Sequence, residues 1–169
     1  VLRWGRSYQW QVSWRDANGT ASSSSASAGF RTPIASEDWH GVDWIGGNLT
    51  NLFRKDFMLP SKSAALISAA TLYVCGLGWS TVFINGKPAW NAVLTTAAWR
   101  NNERQNSFSS IDVTEKLTAG AKNTLGVVLG NGWRVLKRLD KCESNEDTTP
   151  RVLRAQLVLT FTNGSTAVA

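Results

Sequence analysis

Twelve carboxylates and a single histidine define the acid–base chemistry open to this chain of 169 residues. Hydrolysis of a glycosidic bond needs two carboxyl groups, one to protonate the leaving oxygen and one to act as base or nucleophile. The candidates are Glu37 with Asp38, Asp43, Asp112 with Glu115, and the cluster Glu143, Glu146 and Asp147. All fall in loop-like surroundings, where adjacent acids are solvated. Asp112 in "IDVT" reads as a turn or cap residue whose carboxylate accepts backbone N–H groups. No catalytic pair is therefore expected. His40 has no second histidine and no cysteine pair at ligand spacing, so neither a zinc site nor a Ser-His-Asp triad is supported, and it reads as a surface-loop residue. The Ser-rich segments lack a Gly-x-Ser-x-Gly elbow, and no Gly-rich loop opens a helix, which argues against nucleotide chemistry. Acidic loops and carbonyls at a sheet edge can supply oxygen ligands to calcium, but no EF-hand spacing is present. No cofactor is expected, with calcium left as the open alternative.

Tryptophan is the anomaly. Nine are present beside only two tyrosines, and an exposed aromatic face is a surface on which the C–H face of a sugar can rest. Trp39, Trp44, Trp79, Trp90, Trp99 and Trp133 all read as lying at strand ends or in loops, where binding surfaces concentrate. For each, the competing reading is a buried ring with its indole N–H bonded. In "GLGWSTVFINGKPAW" Trp79 starts a strand, and Trp90 follows an Asn85-Gly86 corner and reads as a packing residue.

The elements that must position these rings read as strands throughout. "YQWQVSWRDANGT" alternates Tyr8, Trp10, Val12 and Trp14 against polar neighbours, predicting a half-buried strand, a turn at 16–19 and a short partner strand at Phe30. "NLFRKDFMLP", "TLYVCGLG" and "STVFINGKPAW" follow, the last with the strongest local hairpin signal, Asn-Gly. "SFSSIDVTEKL" predicts a strand running into a one-turn helix capped by Thr114. "KNTLGVVLGNGW" and "RVLRAQLVLTFTNGS" complete the set, the latter with Leu153, Ala155, Leu157, Leu159 and Phe161 on one face. Strands at short spacing, punctuated by Gly and Asn and without an amphipathic helix, predict an all-β sandwich or barrel. Two strands cannot hide a face alone, so residues 1–33 read as the tail of a preceding sandwich plus a linker, and 34–169 as the main domain.

The formal charge is +6, but the basic residues are scattered apart from Arg134, Lys137, Arg138 and Lys141, so nucleic acid is not an expected partner. No apolar run approaches the ~20 residues that cross a bilayer, so no membrane insertion is expected. Cys75 in its apolar strand reads as a buried thiol; with Cys142 it is too few for a disulfide framework, a single bridge between the two being the open alternative. Three sequons, at Asn18, Asn48 and Asn163, are glycosylation candidates that favour a secreted, extracellular or periplasmic location. The chain starts at Val1 without a readable signal peptide and reads as a fragment.

Taken in order, Trp44-Ile45-Gly46, Arg54-Lys55-Asp56-Phe57, Gly76-Leu77-Gly78, Ile84-Asn85-Gly86, Trp99, Asp112-Val113-Thr114 and Leu129-Gly130-Asn131-Gly132-Trp133 resemble the N-terminal region of bacterial-type α-L-rhamnosidases, glycoside hydrolase family 78. The match covers nearly the whole chain. It departs at the segment around Trp99, where the family's Pro-Gly is Ala97-Ala98 and tyrosines around Arg104 are replaced by Asn102 and Phe108. The resemblance implies a jelly-roll-like, galactose-binding-like antiparallel sandwich preceded by the closing hairpin of a fibronectin-type-III-like domain. It also implies a role in recognising rhamnose-containing glycans for a catalytic (α/α)6 barrel, the partner that carries the inverting chemistry. The sugar contacts expected on this basis are Trp79, Trp99, Arg104, Trp133 and Arg134. The alternative is a structural or adhesive carbohydrate-binding extracellular protein that keeps the sandwich without an active enzyme.

Overall fold

A computed structural model describes residues 1–39, 41–47, 51–59, 66–91, 106–130 and 151–169. The chain divides into two compact units, Val1–Gly41 and Val42–Ala169.

The first unit is a hairpin. Strands β1 (Ser7–Trp10) and β2 (Ala28–Arg31) pair antiparallel, with Tyr8 opposite Phe30 and their rings stacked at 5.5 Å. The turn forms at 16–20 as its residue types require: Asp16 Oδ1 accepts the N–H groups of Asn18 and Thr20 at 2.9 and 2.8 Å, and Gly19 takes a positive φ of 84°. The expected half-buried strand from Tyr8 to Trp14 is corrected. It ends at Trp10 because serine hydroxyls replace ladder partners: Val12 N–H donates to Ser25 Oγ and Trp14 N–H to Ser22 Oγ, each at 3.0 Å. Trp10, Val12 and Trp14 are exposed. A 3-10 turn at Ser36–Trp39 follows, with Trp39 buried.

The second unit is an all-β sandwich, every described pairing antiparallel. Its strands are β3 (Ile45–Gly47), β4 (Leu52–Met58), β5 (Ile67–Leu77), β6 (Trp79–Ile84), β7 (Lys87–Pro88), β8 (Ser109–Asp112), β9 (Lys122–Gly130), β10 (Arg151–Phe161) and β11 (Thr166–Val168). Among the described residues, one sheet runs β11-β10-β5-β8 with β3 added alongside β10, and the other runs β4-β9-β6-β7. The two inner faces follow from the period of two. Leu153, Ala155, Leu157 and Leu159 stand opposite Gly76, Val74, Leu72 and Ala70 in the first sheet, and Val82, Ile84, Val127 and Leu129 face them from the second. Leu72, Ile84, Leu129 and Leu153 are fully buried, and each such side chain stabilises by roughly 1.5–3 kcal/mol. The outer face of β5 and β10 is covered too: Thr71, Tyr73, Cys75 and Gln156 are buried.

The chain crosses between sheets at Gly78, the one residue separating β5 from β6. Gly76 permits the crossing, since a Cβ there would lie 3.0 Å from Leu129 Cδ1 and 3.2 Å from Ser80 Cβ. At the far end of β6, Asn85 and Gly86 both adopt positive φ, 52° and 77°, the conformation of a type I′ corner. Asn85 Nδ2–H donates to the Lys116 carbonyl at 3.0 Å and to Asn123 Oδ1 at 2.9 Å, while Asn85 Oδ1 accepts from Thr124 N–H. Buried Asn123 in turn donates to the carbonyls of Thr118 and Ala121, so two asparagines pin the 117–121 connection to the hairpin.

Candidate functional site

Of the expected sugar contacts only Trp79 lies within the described residues; Trp99, Arg104, Trp133 and Arg134 lie outside them, as do His40, Asn48, Cys142, Glu143, Glu146 and Asp147. Trp79 is the first residue of β6, half-buried and directly opposite Gly130 of β9. The alternation that sends Val82 and Ile84 into the core places Trp79, Thr81 and Phe83 on the opposite, outward face. Register brings further residues to that face in rows: Thr81 with Val128 and Leu52, Phe83 with Gly126 and Arg54, and Thr124 with Asp56. Leu52 is 67% exposed and Val128 39%, so the face is open to solvent. Glycine at 126 and 130 removes two side chains from the rows of the aromatic residues, leaving the sheet low beside them.

One margin of the face is ionic. The Arg54 guanidinium contacts both Asp56 oxygens at 3.1 and 3.2 Å, Lys122 Nζ lies 3.3 Å from Oδ2, and Thr124 Oγ1 donates to Oδ1 at 2.8 Å. The Thr124 hydroxyl first and Arg54 next hold the Asp56 carboxyl down at about 2. A flat apolar strip bordered by fixed donors and acceptors can seat a ring that has one C–H face and a rim of hydroxyls. Leu52, Arg54, Asp56 and Phe83 were not among the sugar contacts expected from sequence, although Arg54 and Asp56 belong to one of the motifs that carry the resemblance. The signal for them was the alternation in β4 and β6, but which strands become neighbours is a long-range matter.

The remaining candidates separate. Trp39 is buried and drops out as a surface ring, while Trp44 and Trp90 are 39% and 44% exposed. Trp90 therefore corrects the expectation of a packing residue; its neighbour Ala89 takes the buried position. Asp112 Oδ1 accepts Thr114 N–H and Thr114 Oγ1–H at 2.9 and 2.6 Å, as a turn residue should. Thr114 is not the cap of the short 3-10 turn at Thr114–Lys116 but lies within it, its Oγ1 accepting Ala70 N–H at 2.8 Å. Asp112 and Glu115 line one polar groove of about 710 Å³ with Asn85 and Lys87. Asp38 Oδ2 accepts Ala35 N–H at 3.0 Å, a local turn bond. Cys75 is a buried thiol whose Sγ–H donates to the Ser107 carbonyl, and burial pushes it up to about 11. The sequon residues Asn18 and Asn163 sit on exposed turns, Asn163 Oδ1 accepting from Ser165 N–H and Oγ–H at 3.0 and 2.7 Å. Among the described residues no group of three His, Cys, Asp or Glu could hold a metal ion, and no helix is long and apolar enough to cross a membrane.

Comparison with known proteins adds a family signal. Residues 65–169 match the model of the α-L-rhamnosidase N-terminal domain. An α-L-rhamnosidase of Formosa agariphila is 33% identical over 125 residues, covering 72% of this chain and 12% of that protein. An α-L-rhamnosidase of Alteromonas sp. (strain LOR) is 27% identical over 172 residues, 93% of this chain and 18% of that one. The chain thus spans under a fifth of the length of these relatives. Among solved structures, the α-L-rhamnosidases of Aspergillus terreus and Dictyoglumus thermophilum superpose with TM-scores of 0.83 and 0.77 at 22% and 24% identity. Each superposition covers 99% of this chain and 20% of the other, so the likeness extends to the fold of these residues.

Proposed function

Because the chain belongs to the α-L-rhamnosidase N-terminal domain family, we propose that it is a non-catalytic substrate-recognition module of a hydrolase acting on rhamnose-containing glycans. The observation that carries this reading is the open outer face of β4, β9 and β6, with Trp79 beside Gly130 and the Arg54–Asp56 pair at its margin. A rhamnose ring would rest its C–H face on Trp79 with hydroxyls toward Thr81, and Arg54 and Asp56, in rows further along the face, would meet another residue of the glycan. Catalytic carboxylates would come from an (α/α)6 barrel elsewhere in the same protein, against which this module would hold the glycan. Such a protein would act outside the cell, and Asn18 and Asn163 would be available to carry glycans.

The reading is tested in the parent hydrolase on a rhamnosylated oligosaccharide. Loss of a ground-state contact remote from the bond being cleaved raises KM and spares kcat, so Trp79→Ala should raise KM about tenfold with kcat unchanged. An unchanged KM would remove Trp79, and with it the recognition face, from the proposal.

A further inference from the structure

The geometry points to a second, smaller ligand site at an open margin of the sandwich, an apolar slot with a charged mouth that takes the methyl-bearing face of one 6-deoxyhexose residue. The slot has a volume of about 250 Å³ and is lined by β4, which among the described residues is the edge of its sheet, and by β10. Its floor is made by Phe53, Leu125, Leu153 and Ala155, and its mouth by Lys55 and Asp43. The sequence explains the space: in the inward row Leu153, Ala155, Leu157, Leu159, position 155 alone carries a single methyl group. Lys55 shares the inward side of β4 with half-buried Phe53 and Phe57 yet stays exposed, as does Asp43.

The chemistry of the lining selects the ligand. Among the described residues neither Lys55 nor Asp43 is in an ion pair, whereas neighbouring Arg54 is committed to Asp56. An ammonium donor and a carboxylate acceptor thus remain free at the rim of an apolar floor. A sugar hydroxyl can accept from the first and donate to the second, and only a methyl group suits the floor, where an unbonded hydroxyl would be penalised. The volume is below the roughly 300–1,000 Å³ typical of pockets for larger ligands, which limits the occupant to a single ring. The choice of a deoxy sugar over other small amphipathic molecules rests on the recognition role proposed above. The slot is lined from the inner side of β4; Arg54, at the margin of the Trp79 face, is the one residue of that face that also lines it, and Trp79 itself does not.

The test is a titration of the full chain with methyl α-L-rhamnopyranoside and with methyl α-L-mannopyranoside, which differs by a hydroxyl on C6. The rhamnoside should bind saturably and the mannoside about tenfold more weakly, the discrimination expected for a hydroxyl forced onto an apolar surface. Lys55→Met and Asp43→Asn, both exposed changes, should each weaken the rhamnoside about fivefold or more. Ala155→Phe should fill the slot and abolish binding; if that variant does not fold, the two rim variants carry the test. Trp79→Ala should leave this titration unchanged. Absence of rhamnoside binding, equal affinity for the two sugars, or wild-type binding by both rim variants would overturn the slot assignment. In the last case Lys55 is there to guard an edge strand from pairing. None of these outcomes alters the KM test at Trp79, so the two readings fail separately.

Discussion

Asn85 is the residue on which most local geometry converges. It combines a positive φ, which costs most residues about 1 kcal/mol or more, with side-chain bonds to Lys116, Asn123 and Thr124. Asn85→Ala should therefore destabilise the sandwich by about 2–4 kcal/mol in urea unfolding, and Asn85→Gly by less, since glycine restores the backbone conformation but not the bonds. Equal losses would mean that the corner conformation contributes nothing. Asn85-Gly86, Asp112 and the buried thiol of Cys75 were legible in sequence because each is dictated by nearby chain. Trp39 and Trp90 were not. Both follow a turn-like segment, and whether such a ring ends inside or outside depends on strands distant in sequence.

At the scale of elements, the period of two served well wherever one face is buried and one is wet. It placed Leu153, Ala155, Leu157 and Leu159 of β10 on the inner face, and Val82 and Ile84 of β6 opposite Thr81 and Phe83. It could not describe β5, where Thr71, Tyr73 and Cys75 are buried on one side and Ala70, Leu72 and Val74 on the other, so the alternation is lost. Nor could it foresee that β1 stops at Trp10, because Ser22 and Ser25 compete for its backbone donors. Leu72, buried at the centre of β5, should cost about 2–5 kcal/mol as Leu72→Ala, with the denaturant slope unchanged. A loss under 1 kcal/mol would contradict its place in the packed interior. Between β4 and β9, Asp56 is held at about 2, below the ordinary aspartate value of 3.8. A lowered folded value favours the folded state above the unfolded value, and that contribution is lost as pH falls from 3.8 toward 2. Asp56→Asn should accordingly flatten the acid limb of a pH–stability curve in this window, with an unchanged limb showing that the Arg54–Lys122–Thr124 cluster does not couple to folding.

For the whole molecule, composition and strand spacing were enough to reach an all-β sandwich or barrel, and the resemblance carried by the ordered short motifs gave the family and, with it, the sandwich. The proposed recognition face was less visible: Trp79 stood out as a residue type, but Leu52, Arg54 and Phe83 join it only through the pairing of β4 and β6 with β9. Since the chain spans 12–20% of the length of the relatives it matches, its role has to be read as that of a module, and the central proposal is that this module holds glycan by the Trp79 face. Isothermal titration of the full chain with a rhamnosylated oligosaccharide longer than a single ring tests it most directly. Saturable heat that falls about tenfold in affinity in Trp79→Ala, as loss of an aromatic contact of roughly 1.4 kcal/mol requires, is the predicted result. No heat, or an affinity that Trp79→Ala leaves untouched, would contradict it.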